Sequence, residues 1–178
     1  RPTLRIFNWS TYIDVDESVP ESEPMAKRSP TLRAFAAKYN CDIDYQEYEA
    51  ETDMIGKLQS LPRHFDVVIM TAGRATSLFI ESGRLAPLTL EKVPNRAQVL
   101  PRFRDLAGTR ANEFALPYLA GTSGLLYNEE LVGHPVTSWE DYFNPASPLK
   151  GKVHVLNADS EMLSTALMFL GHHPNESS

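Results

Sequence analysis

Cysteine is nearly absent from this sequence: Cys41 is the only one among 178 residues. An intramolecular disulfide and a cysteine-rich zinc site are therefore excluded for this chain. Apolar runs are also short, and none approaches the roughly 20 residues that a membrane-spanning helix needs. Lys and Arg together number 17 against 23 Asp and Glu, and they do not cluster, so we expect no nucleic-acid partner.

Catalytic signatures are missing as well. The sequence contains no G-x-S-x-G nucleophile motif, no phosphate-binding loop with its lysine and no H-E-x-x-H zinc motif. His172 and His173 are adjacent near the end of the chain, which favours a solvated tail over a metal site. Cys41 and His64 have no evident partner carboxylate for a catalytic dyad. We therefore expect no enzyme, no catalytic residues, no metal and no cofactor.

The remaining composition is that of a soluble globular protein, with 42% hydrophobic and 22% charged residues. The formal net charge of -6 suits a cationic or zwitterionic small ligand better than an anionic one. No signal peptide begins at Arg1, and we expect that a leader has been removed.

The stretch that organises the chain lies close to its start. Leu4, Ile6 and Phe7 predict a short strand, and a polar run with two large aromatic residues, Trp9 and Tyr12, comes directly after it. Ligands of open α/β sheets bind just beyond the carboxyl ends of the strands. Trp9 and Tyr12 therefore form either one wall of a ligand site or a cap on the core, and the local pattern does not choose between them.

Alternating strand and helix patterns come next and predict an α/β fold with a parallel crossover. The predicted order is a solvated, mobile, acidic and proline-rich loop from Asp14 to Ser29, a helix from Ser29-Pro30 to Asn40, a strand over 41–45, a helix from Thr52, a strand over 65–70 and a helix ending at Gly83. Thr71 comes after the third strand, so we expect it on the same sheet edge as Trp9.

The second part of the chain is predicted more sparsely. Residues 114–128 join two apolar segments through small residues, which is typical of a strand crossing between lobes or of an ordinary hairpin. A helix is predicted near Trp139, a strand over 151–156 and a last helix from Asp159 or Ser160. Glu161 falls in the first turn of that helix, where a carboxylate commonly complements the helix dipole.

Several segments together resemble one family, the spermidine/putrescine periplasmic binding proteins of polyamine ABC importers. They are the runs 7–13 (FNWSTYI), 65–71 (FDVVIMT), 116–118 (LPY), 121–124 (GTSG), 127–128 (YN) and 137–139 (TSW). The resemblance implies a type 2 periplasmic-binding-protein fold, in which two α/β lobes with mixed sheets are joined by crossing strands and hold the ligand between them. It also implies that Trp9, Ser10, Tyr12, Thr71 and Glu161 contact the ligand.

The sequence departs from that family's pattern at several positions. Thr11 and Ala158 stand where the family commonly has acidic residues, and Gly73-Arg74 stands where it has an aromatic residue. Arg74 is able to receive a carboxylate, which makes an amino-acid-like or zwitterionic ligand an alternative to a polyamine.

The resemblance also implies an organisation and a location. The first lobe is expected over 1–117 and the start of the second over 118–178, so that the chain corresponds to the N-terminal half of such a protein and the returning C-terminal segments are absent. We expect a periplasmic or extracytoplasmic protein that passes a small amine-containing ligand to an ABC permease, as a monomer if complete. The alternative is a ligand-sensing input domain attached to a membrane signalling module, and an α/β enzyme would need catalytic residues outside this chain.

Overall fold

The computed structural model describes residues 1–104, 111–144 and 147–174, without the side chains of Arg74, Arg104, Ala111 and Asn112. Three strands and nine α-helices lie in these residues: β1 (Thr3–Trp9), α1 (Met25–Arg28), α2 (Pro30–Tyr39), β2 (Asp42–Tyr48), α3 (Glu51–Ser60), β3 (Val67–Val68), α4 (Arg74–Glu81), α5 (Pro101–Arg104), α6 (Ala111–Phe114), α7 (Glu129–Val132), α8 (Glu140–Phe143) and α9 (Asp159–Phe169). Two short 3₁₀ segments, Leu90–Lys92 and Pro94–Gln98, lie between α4 and α5. None of the described helices is both long enough and apolar enough to cross a membrane.

The chain divides into two compact units, residues 1–120 and 121–178. The first unit contains a three-stranded parallel sheet in the order β2-β1-β3. β1 pairs with β2 along its whole length, from Thr3 opposite Asp42 to Trp9 opposite Tyr48. The parallel crossover predicted from the sequence is thus confirmed, with β1 in the centre of the sheet.

The helix after the first strand conforms closely to its sequence signals. The Ser29 side chain accepts a hydrogen bond from the Leu32 amide at 3.2 Å, and Pro30 occupies the first turn. At the other end Asn40 adopts the left-handed conformation, with φ of 51°. These are the expected N-terminal cap and C-terminal stop of α2.

The core of the first unit lies between the sheet and the helices α3 and α4. Its buried members are Phe7, Tyr48, Met54, Ala75 and Phe79. The rings of Phe7 and Phe65 stack with centroids 4.6 Å apart, and the Lys57 ammonium lies 5.0 Å from the centre of the Phe7 ring. Phe7 therefore fixes β1 against the helices, two residues before Trp9.

Four predictions about secondary structure need correction, two of them in the first unit. The strand predicted over 65–70, covered on both faces, forms a ladder only at Val67–Val68, and Val67 is 44% exposed. The loop predicted over 14–29 contains the one-turn helix α1. Its Asp14 accepts hydrogen bonds from the Ser29 hydroxyl and the Thr31 amide, which holds the segment against the start of α2.

The third correction concerns the second unit, which contains helices and has no strand assigned in its described residues, 121–144 and 147–174. The strand predicted over 151–156 is therefore wrong, and Val153, Val155 and Leu156 of that segment are exposed. The fourth correction concerns residues 114–128, predicted as a crossing strand or a hairpin, in which no strand is assigned. A β-rich pattern forms a strand only where a neighbouring strand accepts its hydrogen bonds, and these segments pair with none in the described chain.

Candidate functional site

Aromatic side chains meet where the central strand ends. We call residues 9–12, which run from the last residue of β1, the aromatic loop. Trp9 is half-buried against the core, and its ring lies 4.5 Å from that of Tyr48, its partner in the strand register. The Tyr12 ring is 6.5 Å from that of Trp9 and is 45% exposed. Trp9 therefore covers the core, as one of the two sequence interpretations predicts, whereas Tyr12 faces solvent and the ligand-wall interpretation stays a prediction.

The backbone of the aromatic loop is a tight turn. The Tyr12 amide lies 3.4 Å from the Trp9 carbonyl oxygen, and the Ser10 amide donates to the Tyr48 carbonyl at 3.0 Å. Thr11 between them has a φ of 65°, in the left-handed region that β-branched residues rarely adopt. Such a conformation costs on the order of 1–3 kcal/mol and persists only where surrounding contacts fix it.

Asn8 supplies part of that fixation. It is 1% exposed, and its side chain donates to the Tyr45 hydroxyl at 2.8 Å and to the Tyr12 carbonyl at 3.2 Å, while its Oδ1 accepts from the Trp9 amide at 2.8 Å. Each polar atom of the buried amide is thus satisfied, as burial requires. Asn8 holds both ends of the aromatic loop to the sheet.

A second donor reaches the same carbonyl from far along the chain. The Tyr118 hydroxyl donates to the Tyr12 carbonyl oxygen at 2.6 Å, across 106 residues of sequence. Tyr118 belongs to the first unit and lies close to the end of that unit at Ala120. The aromatic loop is therefore bonded to the segment that leads towards the second unit.

The phenols around the loop are held in their neutral form. Burial raises the pKa of Tyr45 to about 12, against the opposing effect of the hydrogen bond from Asn8, and the nearby Glu47 adds to the rise. Burial also raises the pKa of Tyr48 and of Tyr118, assisted by the charges of Glu51 and Asp14 respectively. These hydroxyls therefore remain available as hydrogen-bond donors throughout the neutral pH range.

Thr71 lies beyond the carboxyl end of β3, which is parallel to β1 and adjacent to it, so the predicted placement of Thr71 and Trp9 on one sheet edge is confirmed. Thr71 is exposed, and its carbonyl accepts from the Thr76 hydroxyl at 3.0 Å. The Tyr48 hydroxyl of β2 donates to the Ile69 carbonyl at 2.5 Å. This hydrogen bond connects one outer strand, β2, to the segment that comes after the other outer strand, β3. Arg74 begins α4, and its side chain lies outside the described residues.

Glu161 belongs to the second unit. It is exposed in the first turn of α9, and the Ser123 hydroxyl donates to its Oε1. The hydrogen bond orients the carboxylate, a group whose two oxygens together offer about four acceptor sites. Glu161 is thus held by a side chain as well as placed at a helix N-terminus, the position where a negative charge is favourable.

Other features of the described residues do not coincide with the predicted site. A surface pocket of about 280 Å³ is lined by Leu90, Val93, Pro94, Arg96 and Ala97, and another of about 240 Å³ by Leu125, Val136, Thr137, Ser138 and Trp139. Neither is lined by a predicted site residue. In the described parts of the chain, no group of three or more His, Cys, Asp or Glu side chains is arranged to hold a metal ion.

Sequence reasoning missed four residues that shape the aromatic loop: Asn8, Tyr45, Tyr48 and Tyr118. A signal for Tyr48 was present, because it comes just after the strand predicted over 41–45 and so falls at the same sheet edge as Trp9. Tyr118 stood in a motif that carried the family resemblance, but local spacing does not show which atom its hydroxyl meets. Asn8 reads as an ordinary strand residue until its burial is known.

The parallel sheet, with aromatic and polar residues beyond the carboxyl ends of its strands, has the features of α/β proteins that bind ligands at that edge. The chain belongs to the family of bacterial extracellular solute-binding proteins, whose profile matches residues 31–177. The predicted membership of a solute-binding protein family is thereby confirmed.

Individual relatives support the same assignment. The chain is 29% identical over 188 aligned residues to the putrescine-binding periplasmic protein PotF of Escherichia coli, with 97% of this chain covered. It is 31% identical over 117 residues, 66% of the chain, to a norspermidine sensor of Vibrio cholerae. The crystal structure of the Tp0655 (TpPotD) lipoprotein of Treponema pallidum matches 98% of the chain with a TM-score of 0.76 at 22% identity, which confirms the predicted periplasmic-binding-protein fold.

Each alignment covers a smaller share of the relative's length than of this chain's length. The chain spans 46% of the length of the putrescine-binding protein, 31% of the norspermidine sensor and 50% of the lipoprotein. The chain thus spans about half the length of the putrescine-binding protein and of the lipoprotein, in agreement with the prediction that it corresponds to half of such a binding protein.

Proposed function

We propose that the protein is an extracytoplasmic solute-binding protein that captures a small amine-containing ligand, a polyamine such as putrescine or spermidine or a related zwitterion, for ABC import. The aromatic loop is the observation that carries this proposal, because it presents an exposed tyrosine beside a tryptophan at the carboxyl edge of a parallel sheet. The family assignment and the putrescine-binding relative support it. We further propose a periplasmic location and a monomeric state.

The chemistry of the aromatic loop suits an alkylammonium ligand. Aromatic faces attract ammonium groups through the ring quadrupole, and tryptophan does so most strongly. The methylene chain of a diamine is apolar and packs on the same rings. Trp9 and Tyr12 thus match both parts of a polyamine, and the neighbouring hydroxyls of Ser10 and Thr71 supply acceptors for its N–H groups.

Glu161 is proposed to pair with a ligand ammonium. A carboxylate forms a charge-assisted hydrogen bond with an ammonium, and the Ser123 hydroxyl already orients this carboxylate. Each such contact contributes about 1.5–3 kcal/mol, so loss of the charge is expected to weaken binding by about 10- to 100-fold.

We propose that Arg74 influences which of the two ligand classes binds. An arginine beyond the third strand repels a dication but pairs with a carboxylate. The charge of Arg74 is therefore expected to weaken putrescine binding relative to that of a zwitterion such as γ-aminobutyrate.

Isothermal titration of the protein at its full natural length, with putrescine, spermidine and γ-aminobutyrate, tests the proposal. Micromolar or tighter binding of a polyamine is expected. Binding of γ-aminobutyrate alone would assign the site to a zwitterion, and no binding of any of the three would contradict an amine receptor.

Matched variants locate the site. Trp9→Ala is expected to weaken binding by about 30-fold, because a desolvated cation–π contact contributes about 2 kcal/mol. Trp139→Phe, which changes the tryptophan of α8's N-terminus, is the control and should bind normally. An affinity of Trp9→Ala within twofold of the unchanged protein would remove the aromatic loop from the site.

Carboxylate and guanidinium variants complete the set. Glu161→Gln should lose affinity while Glu130→Gln, an exposed glutamate of α7, should not. Arg74→Ala is expected to bind putrescine more tightly, and no change would show that this arginine does not choose the ligand.

The norspermidine sensor among the relatives favours a second candidate function, a ligand-sensing input domain. Receptor and sensor would share this ligand chemistry and differ in the segments to which the domain is joined. Sequencing the complete gene tests this, because a sensor requires a membrane-spanning helix and an output module, whereas a transport receptor requires a partner permease.

A further inference from the structure

We propose that Tyr118 is a positioning residue for the aromatic loop, and that its hydroxyl bond to the Tyr12 carbonyl makes the conformation of this loop depend on the segment that leads into the second unit. The consequence for ligand affinity rests on the function proposed above. The effect on loop conformation does not.

The Tyr12 carbonyl has two donors of different character. Asn8 is buried in the end of β1 and is itself held by Tyr45, so its hydrogen bond at 3.2 Å belongs to the rigid sheet. Tyr118 is half-exposed and makes the shorter bond, 2.6 Å, from outside the sheet. Of the two donors, Tyr118 is the one whose position the sheet does not set.

The aromatic loop needs such support. Thr11, next to Tyr12 in sequence, is held in the left-handed region, a conformation that a β-branched residue leaves readily when its surroundings allow it. The Tyr12 carbonyl lies one residue beyond Thr11, so a donor fixed to that oxygen resists rotation of the turn. Loss of the Tyr118 hydroxyl should therefore let the turn sample other conformations and move Tyr12 relative to Trp9.

Tyr118 lies close to the end of the first unit, so its hydrogen bond connects the aromatic loop to the segment that leads into the second unit. The first unit ends at Ala120, and Leu119, Ala120 and Gly121 are all exposed. A change in the path of this segment therefore reaches the aromatic loop through one hydrogen bond. Because energetic coupling is reciprocal, a ligand that orders the loop also orders the segment.

The test is ¹⁹F NMR of the full-length protein labelled with 5-fluorotryptophan, with the Trp9 signal assigned by its absence in Trp9→Phe. In the ligand-free protein, Tyr118→Phe removes the hydroxyl alone and is expected to shift and broaden the Trp9 signal. Tyr39→Phe, a change of an exposed tyrosine of α2, is the control and should leave it in place. A Trp9 signal unchanged in Tyr118→Phe would overturn the inference.

A general loss of structure is distinguished by the Ile69 amide, which lies outside the aromatic loop and donates to the Phe7 carbonyl of β1 at 2.9 Å. Its hydrogen exchange should stay as slow in Tyr118→Phe as in the unchanged protein, and accelerated exchange there would contradict a positioning role. Titration with putrescine adds the functional measurement, for which Tyr118→Phe should bind about fivefold more weakly, the effect of one ordinary hydrogen bond. If the unchanged protein binds none of putrescine, spermidine and γ-aminobutyrate, the proposed function fails, whereas the ¹⁹F spectra still decide the positioning role.

Discussion

The two units differ in how far their apolar side chains are buried. In the first unit Phe7, Met54 and Phe79 are almost completely buried in one core. In the second unit Leu126 is fully exposed and Leu131 is 86% exposed, and the buried residue of α9 is the polar Thr165. In the described residues, the first unit thus buries several apolar side chains together, whereas the second unit leaves these two leucines uncovered.

The difference arises from what each segment finds to pack against. β1, α3 and α4 lie within the first 81 residues and close around the same side chains. In the second unit, α7 and α8 are single turns, and Leu163 and Leu170 of the α9 region are exposed. An apolar pattern in the sequence identifies a helix face whose burial stabilises the fold, but it does not identify the segment that packs against that face.

The largest expected contrast between the units comes from truncating one buried and one exposed side chain. Met54→Ala should lower the free energy of unfolding by about 2–5 kcal/mol, because Met54 is completely buried in the core. Leu163→Ala, at an exposed position of α9, should change it by less than about 0.5 kcal/mol. Urea unfolding measures both, and equal effects would mean that the second unit buries this leucine in solution.

Helix capping gives a smaller contrast with opposite signs. Ser29→Ala removes the side-chain cap of α2 and the donor to Asp14, and should cost about 1–2 kcal/mol. The corresponding position of α9 is Ala158, which has no side-chain cap, so Ala158→Ser should stabilise that helix by up to about 1 kcal/mol. Hydrogen exchange of the Met162 amide, which donates to the Ala158 carbonyl, reports the second change, and faster exchange there would contradict the prediction.

Alkaline pH should affect the first unit through its buried phenols. Burial raises the pKa of Tyr45 from 10.0 to about 12, so between these values the unfolded chain loses the proton first and stability falls as pH rises. Unfolding of Tyr45→Phe should therefore be less sensitive to pH between about 10 and 12. At pH values well below about 10, the difference in unfolding free energy between Tyr45→Phe and the unchanged protein should not vary with pH. Stability curves that stay parallel between about pH 10 and 12 would show that Tyr45 is not responsible for the loss of stability.

Acid should release the segment before α2, with the smallest expected effect. Partial burial acts to raise the pKa of Asp14, but hydrogen bonds from Ser29 and Thr31 outweigh it and lower the pKa below 3.8. The stabilisation is therefore present above that value and is lost as pH falls through the lowered pKa. Asp14→Asn should flatten the acid limb of the stability curve, as measured by circular dichroism, and an unchanged limb would show that Asp14 does not contribute.

Features that depend on residues close together in the sequence, such as helix ends, are predicted correctly. Ser29, Pro30 and Asn40 are local signals, and α2 begins and ends where they indicate. The strand predicted over 151–156 is wrong because strand formation depends on a partner that local pattern cannot supply. The sequence predicts the residues of the aromatic loop but not the two side chains that hold it. The hydrogen bond from Asn8 depends on burial and that from Tyr118 on a contact across 106 residues, and the spacing of residues in the sequence shows neither.

Thr11 has a consequence for how such a protein changes over evolutionary time. Its φ of 65° means that the loop is held in a conformation that glycine would adopt without penalty. Exchange between threonine and glycine at this one position would alter how rigid the empty loop is without replacing Trp9, Ser10 or Tyr12. Under the function proposed above, such an exchange would adjust ligand affinity without replacing the side chains proposed to contact the ligand, so that selectivity and affinity would be separately adjustable.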